Sequence, residues 1–205
     1  MKLKIKLLMV IIYGLGLSMM SPLAVGGVIL GLSPSSQNAL PGDTISLNLV
    51  VSGLNSGGVS SLGDFDLNVA FDTSKLSFTS YSLGSFLGDI SLSEAGNFSL
   101  GATGGSINLS EVSYILDPTA LAALQGNSFT LATLFFNVGS LLNGQSTNVS
   151  FTDIYALGDS LGNPLTLDAA NGATIGNNAT VPEPSSILLI LLAVPALSWA
   201  RRRKA

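Results

Sequence analysis

Apolar and polar residues alternate with a period of two through much of residues 27–168, which predicts β-strands with one buried face. Thr44 to Ser52 puts Ile45, Leu47, Leu49 and Val51 on one face and Thr44, Ser46, Asn48 and Ser52 on the other, with Val50 the one apolar exception. The turn Pro41-Gly42-Asp43 launches this strand. A small-residue loop, Gly53 to Gly63, leads to a second strand over Asp64 to Phe71. There Phe65, Leu67, Val69 and Phe71 oppose Asp64, Asp66 and Asn68. Asp72-Thr73-Ser74-Lys75 then turns the chain into a strand at Leu76 to Tyr81.

Further strands are expected at Gly96 to Leu100 and Ile107 to Leu116. A short helix is predicted over Pro118 to Gln125, with Asp117 as cap, proline at its first position and Gly126 to end it. Ser128 to Val138 carries large apolar residues on both faces: Phe129, Leu131 and Phe135 on one, Ala132, Leu134, Phe136 and Val138 on the other. That pattern predicts a central strand covered on both sides. Thr147 to Leu157 and Pro164 to Asp168 are expected to form a hairpin across Gly158 to Asn163. The fold class that follows is all-β, a Greek-key or jelly-roll sandwich of about seven to ten strands over residues 27–168. The Gly/Asn/Ala-rich stretch 169–180 reads as a flexible spacer.

Both ends of the chain read as address segments. Residues 1–26 have a basic start (Lys2, Lys4, Lys6), an apolar stretch from Leu7 to Met20 and small residues at Ala24-Val25-Gly26, the pattern of a secretory signal peptide. At the other end an apolar run, residues 186–200, is followed by Arg201, Arg202, Arg203 and Lys204. About fifteen residues make a helix of about 22 Å against a hydrocarbon core of about 30 Å, a marginal transmembrane span. The four cations would stop translocation and hold that end in the cytoplasm, leaving everything before Val181 on the far side. A buried C-terminal helix is the alternative reading.

Charge is divided between these parts. The 205-residue chain has 8 Lys and Arg, 12 Asp and Glu, no histidine and no cysteine. Seven of the cations sit in the basic start and the basic end, so residues 27–185 hold Lys75 alone against all twelve acids, Asp43 to Glu183, a net charge of −11. Phosphate backbones would be repelled, which excludes nucleic acid as a partner.

Pro182, Glu183 and Pro184, then one hydrophobic segment and a basic end, resemble the PEP-CTERM sorting signal of Gram-negative, exopolysaccharide-producing bacteria. The resemblance implies that residues 181–205 are recognised by a membrane-embedded exosortase-type peptidase and removed. Two prolines disfavour helix around the motif, and an extended strip is what a protease cleft binds. A second resemblance lies in Pro41 to Leu47, in Phe65 to Asp72 followed by Ser74-Lys75-Leu76, and in Leu131 to Phe136, which look like strands of cohesin-type domains. That family has a nine-stranded jelly-roll sandwich related to carbohydrate-binding modules. Cellulosomal cohesins bind dockerin modules through a sheet face, although no residue of that face carries over to a position here.

The residue inventory narrows the chemistry. Without histidine or cysteine, the usual nucleophile-base pairs are missing. Carboxylate pairs drawn from Asp64, Asp66, Asp72, Asp89, Glu94, Glu111 and Asp117 would suit glycoside hydrolysis, but no large insertion is available to build a cleft. Asp64, Asp66 and Asp72 are the candidate calcium ligands, calcium being the one cofactor considered. The triplet Asp64, Asp66, Asn68 opens like a calcium loop, yet Val69 and Lys75 stand where such a loop needs Gly and Glu. The only tryptophan, Trp199, lies in the tail, so a flat aromatic sugar platform is missing from the domain. The expectation is an exported, non-enzymatic cell-surface or exopolysaccharide-matrix protein. The alternative is a cohesin-like or carbohydrate-binding module that recognises a protein or polysaccharide on one sheet face.

Overall fold

The computed structural model describes residues 27–54 and 61–178. The signal peptide, the sorting motif, the apolar run and the basic end lie outside the described residues. Among the described residues no helix is long and apolar enough to cross a membrane.

Among the described residues twelve strands form two sheets. They are β1 (Val28–Ser33), β2 (Ser36–Asn38), β3 (Thr44–Ser52), β4 (Asp64–Phe71), β5 (Leu76–Leu83), β6 (Ala95–Asn97), β7 (Gly101–Thr103), β8 (Ser106–Ser113), β9 (Ser128–Val138), β10 (Ser146–Gly158), β11 (Leu167–Asn171) and β12 (Ala173–Gly176). A 3-10 turn spans Ile90–Leu92, and one helix, α1, spans Pro118–Leu124. The first sheet runs β11-β1-β3-β9-β5 and the second β2-β12-β10-β4-β8-β6, with β7 also paired to β8.

Each sheet turns its alternate apolar residues toward the other. Leu47 and Leu49 of β3, Leu67 and Val69 of β4, Leu109 of β8 and Phe136 of β9 are all fully enclosed. Phe136 meets Phe71 and Phe78 edge-on, with ring centroids at 5.3 and 5.8 Å, the arrangement that aromatic quadrupoles favour. Buried Gln125 closes one end of the sandwich: its amide donates to Leu62 O (2.7 Å) and Phe86 O (3.0 Å) and its oxygen accepts from Leu62 N (2.8 Å). Helix α1 begins as expected, with Asp117 accepting from Thr119 N at 2.9 Å and Pro118 at its start, and it buries Leu121.

Three expectations are corrected. Strand β9 is not covered on both sides. Its register against β3 shifts between Leu49 and Val50, so Leu131 is an extra residue. A bulge of this kind reverses the alternation, which lets Phe129 and Leu131, then Ala132, Leu134 and Phe136, all face the same core while Phe135 stays half-buried outside.

The hairpin expected between 147–157 and 164–168 is reduced to a bridge between Gly158 and Pro164 and a 2.8 Å bond from Leu165 N to Leu157 O. The chain then crosses to the first sheet, where β11 pairs in parallel with β1.

The stretch 169–180 is not a spacer over its first part. It contains the end of β11 and all of β12, which pairs with β10 and β2 and buries Ala173 and Ile175. If this segment belongs to the core, Ile175→Ala lowers unfolding free energy by about 3 kcal/mol in urea titration. A spacer residue would leave the midpoint unchanged.

Candidate functional site

Because side chains alternate, the residues of β4 that do not enter the core form a row on the outer face of the second sheet. That row is Asp64, Asp66 and Asn68. Its neighbour β8 contributes Ser106, Asn108 and Ser110, with Asn108 directly opposite Asn68 and Ser110 opposite Asp66. On the other side β10 contributes Asp153, opposite Asn68, and Ala156, opposite Asp66.

The polar groups are linked into one network. The Asn108 side-chain amide donates to Asp66 Oδ1 at 2.8 Å and to Asn68 Oδ1 at 3.1 Å. The Asn68 amide donates to Asp153 Oδ2 at 3.3 Å and to the Tyr155 hydroxyl oxygen at 3.2 Å. The Leu100 backbone N donates to Asn108 Oδ1 at 3.1 Å. Both amide groups are therefore spent within the floor, while carboxylate lone pairs of Asp66 and Asp153 remain to accept from a visitor.

Apolar side chains stand on both sides of this floor. The register between β10 and β4 shifts twice, and Tyr155 is the extra residue of the second shift, projecting with 65% of its surface exposed. A bulge re-aims a side chain in this way, and bulges are frequent beside binding sites. Opposite, Phe98 (56% exposed) and Leu100 (86% exposed) lie on the segment between β6 and β7. Phe98 N donates to Ser110 O at 2.9 Å, so this segment follows β8 as an interrupted edge strand. The rings of Phe98 and Tyr114 lie so close over Gly96 that a side chain there would strike both. Phe98, Leu100 and Tyr155 enclose a groove of about 660 Å³ with Asp66, Asn68, Asn108 and Ser110.

A smaller groove, about 380 Å³, adjoins it across Tyr155 and is lined by Asp64, Ile154, Leu157 and Leu165. Asp64 lies against Gly158, where a Cβ would collide with its carboxyl group. Burial holds the Asp64 pKa above the ordinary carboxylate value.

Most other acids serve the backbone. Asp43 accepts from Leu40 N (2.7 Å), Asp72 from Ser74 N (2.9 Å), Asp89 from Ser91 N (2.8 Å), and Asp159 from Leu161 N (2.8 Å) and Asn163 N (2.9 Å). Asp168 accepts from Gly27 N at 2.7 Å. These bonds hold the Asp72 and Asp89 pKa values below the usual range, with the Ser74 and Ser91 hydroxyls contributing most. For Asp159, slight burial acts upward, but bonds from Asn163, Leu161 and Gly162 prevail and the pKa is lowered.

The calcium candidates are not brought together. Asp66 faces the larger groove, Asp64 the smaller one, and Asp72 is folded into its own turn. Among the described residues no group of three acidic side chains is arranged to hold a metal. Of the calcium candidates Asp64, Asp66 and Asp72 only Asp66 joins the floor of the larger groove, beside Asn68 of the same triplet. Asn108, Asp153, Tyr155, Phe98 and Leu100 escaped that reading, because register decides which residues stand beside β4.

A two-sheet sandwich with an acceptor-lined, apolar-rimmed groove on one outer face defines a binding-module class of β protein. Its family is the cohesin domain: the family model matches residues 31–175, and the chain belongs to the cohesin family. Cohesin domains are non-catalytic binding modules. The sixth cohesin of scaffoldin B from Acetivibrio cellulolyticus, solved in complex with a Cel5 dockerin mutant, is 19% identical with a TM-score of 0.58, over 74% of this chain and 99% of that one. CaCohA2 from Clostridium acetobutylicum is 20% identical with a TM-score of 0.57, over 76% and 94%. A type II cohesin from the cellulosome of Acetivibrio cellulolyticus is 17% identical with a TM-score of 0.56, over 75% and 95%. No curated protein sequence is significantly similar to the chain.

The network predicts that Asn108→Ala costs about 1 kcal/mol of stability. It should also remove the bond into Asn68 Oδ1, read as a shift of the Asn68 side-chain carbonyl resonance in NMR spectra, while the Asn68 amide keeps its bonds to Asp153 and Tyr155.

Proposed function

We propose that this chain is an exported protein-binding module that docks a partner on the outer face of its second sheet. The observation that carries this reading is the groove itself, where Phe98, Leu100 and Tyr155 rise around a floor whose Asn68 and Asn108 amides are already spent. Exposed aromatic and aliphatic anchors around a hydrogen-bonding centre are the usual make-up of an energetic hot spot. A glycan platform would need stacked aromatic faces, and the groove offers Phe98 and Tyr155 on opposite sides. Solved relatives include cohesins in complex with dockerins, so the partner proposed is a dockerin-type module.

The Cel5 dockerin and a dockerin panel from the organism's own secreted proteins provide the probes, titrated by calorimetry. Leu100→Asp and Tyr155→Ala should each weaken binding at least about tenfold. Asn48→Asp, on the exposed outer face of the first sheet, should leave it unchanged. Equal effects from both faces would refute the assignment of the groove.

Delivery is the second part of the proposal. Residues 1–26 direct export, and residues 181–205 act as a PEP-CTERM address that an exosortase-type peptidase removes, releasing the domain to the cell surface or an exopolysaccharide matrix. Its support is the order of Pro182-Glu183-Pro184, an apolar run and the cations Arg201 to Lys204. Replacing Pro182, Glu183 and Pro184 with alanine should trap the tail-bearing precursor in the membrane fraction. Release of the variant at the wild-type rate would exclude processing through this motif.

A further inference from the structure

Glu111 lies where a carboxyl group is hard to accommodate. It follows Ile107 and Leu109 in the inward series of β8, is 0% exposed, and has no hydrogen-bond partner for either oxygen. An ionised carboxylate without a partner is strongly disfavoured in such surroundings, and burial pushes its pKa up to about 7.

No charged neighbour relieves it. On β4 the residue opposite is Phe65, and Asp64 and Asp66 point to the other face. On the β6 side Glu94 accepts from Asp89 N, and Tyr81 of β5 and Tyr114 are the remaining titratable groups, Tyr81 accepting from Asn97. From β9 the core receives Phe129 and Leu131, and the only titratable group at α1 is Asp117, which caps the helix.

The two flanks of Glu111 differ in strength. Strand β4 is held by both β8 and β10, whereas β6 is a three-residue edge strand joined to β8 through Ala95, Gly96 and Asn97, the last opposite Glu111 itself. The β6 edge continues directly into Phe98 and Leu100, the groove wall.

We propose that Glu111 is a proton switch for the docking face: protonated, it stays in the core with β6 closed over it, and ionised, it draws β6 off β8 and dismantles the Phe98 and Leu100 wall. The consequence for binding rests on the docking reading above, while the opening of β6 does not. The closed form holds the proton more tightly than the open form, in which the carboxyl is solvated. Closure is therefore complete at acid pH, weakens as pH rises toward about 7, and stays at its weaker level above that value.

Hydrogen exchange of the full chain at pH 5 and pH 8, corrected for intrinsic rates, tests this directly. Protection of residues 95–103 should fall by about tenfold or more at the higher pH, while β3 and β9 keep theirs. Glu111→Gln should abolish the difference. If that variant does not fold, Glu111→Leu, which continues the Ile107 and Leu109 series, serves as the second pH-insensitive form. An equal fall in the variant, a fall spread over every strand, or no fall in the wild type would overturn the switch. Loss of dockerin binding in Leu100→Asp is measured separately, so the docking reading and the switch fail independently.

Discussion

The register of β4 between β8 and β10 is the constraint on which the site depends. Phe65, Leu67 and Val69 must face the core, and the period of two then obliges Asp64, Asp66 and Asn68 to face out. A slip of one residue would bury two carboxylates and expose three large apolar side chains, so the core enforces the position of the polar row. The same register brings Asn108 and Asp153 beside Asn68. The groove floor is thus a by-product of core packing, and its geometry is as rigid as the sandwich beneath it.

How much of this was legible in the sequence depended on whether strands kept their rhythm. Strands β3 and β4 alternate without interruption on the side chains that matter, and their bounds, Thr44–Ser52 and Asp64–Phe71, coincide with the expected ones. Bulges broke the reading elsewhere. Leu131 in β9 made one buried face look like two, and the two extra residues in β10 hid the fact that Tyr155 leaves the core side. Short strands without apolar weight, such as β2 and β7, carry no periodic signal at all. Ala173 and Ile175 are the only buried apolar side chains of β12, and one such pair among Gly and Asn gave too little pattern to distinguish a strand from a spacer.

The acids also read differently once placed. Between the two end segments, a surplus of carboxylates beside the single cation Lys75 suggests self-repulsion and solubility. Their positions give most of them a local task. Among the described residues Lys75 is the only basic side chain, so backbone N–H groups at turns are the readiest partners for a carboxylate, and Asp43, Asp72, Asp89, Asp117 and Asp159 each accept at least one within a few residues. Asp168 does the same for Gly27 at the start of the fold. Lys75 donates to the Ser146 carbonyl, at 3.2 Å.

Subtracting the turn-forming acids isolates those that fold maintenance does not require. Asp66 and Asp153 sit mid-strand on a sheet face, bonded only by side-chain amides that also belong to that face. Glu111 sits in the core beneath the edge of the same sheet, where any apolar residue would pack at lower cost. Neither placement serves a turn, a cap or an ion pair, and both lie on β4, β8 and β10, the three strands beneath the groove. An acidic composition whose members are otherwise absorbed by turns therefore directs attention to one sheet, and within it to the face lined by Asn68, Asn108 and Tyr155.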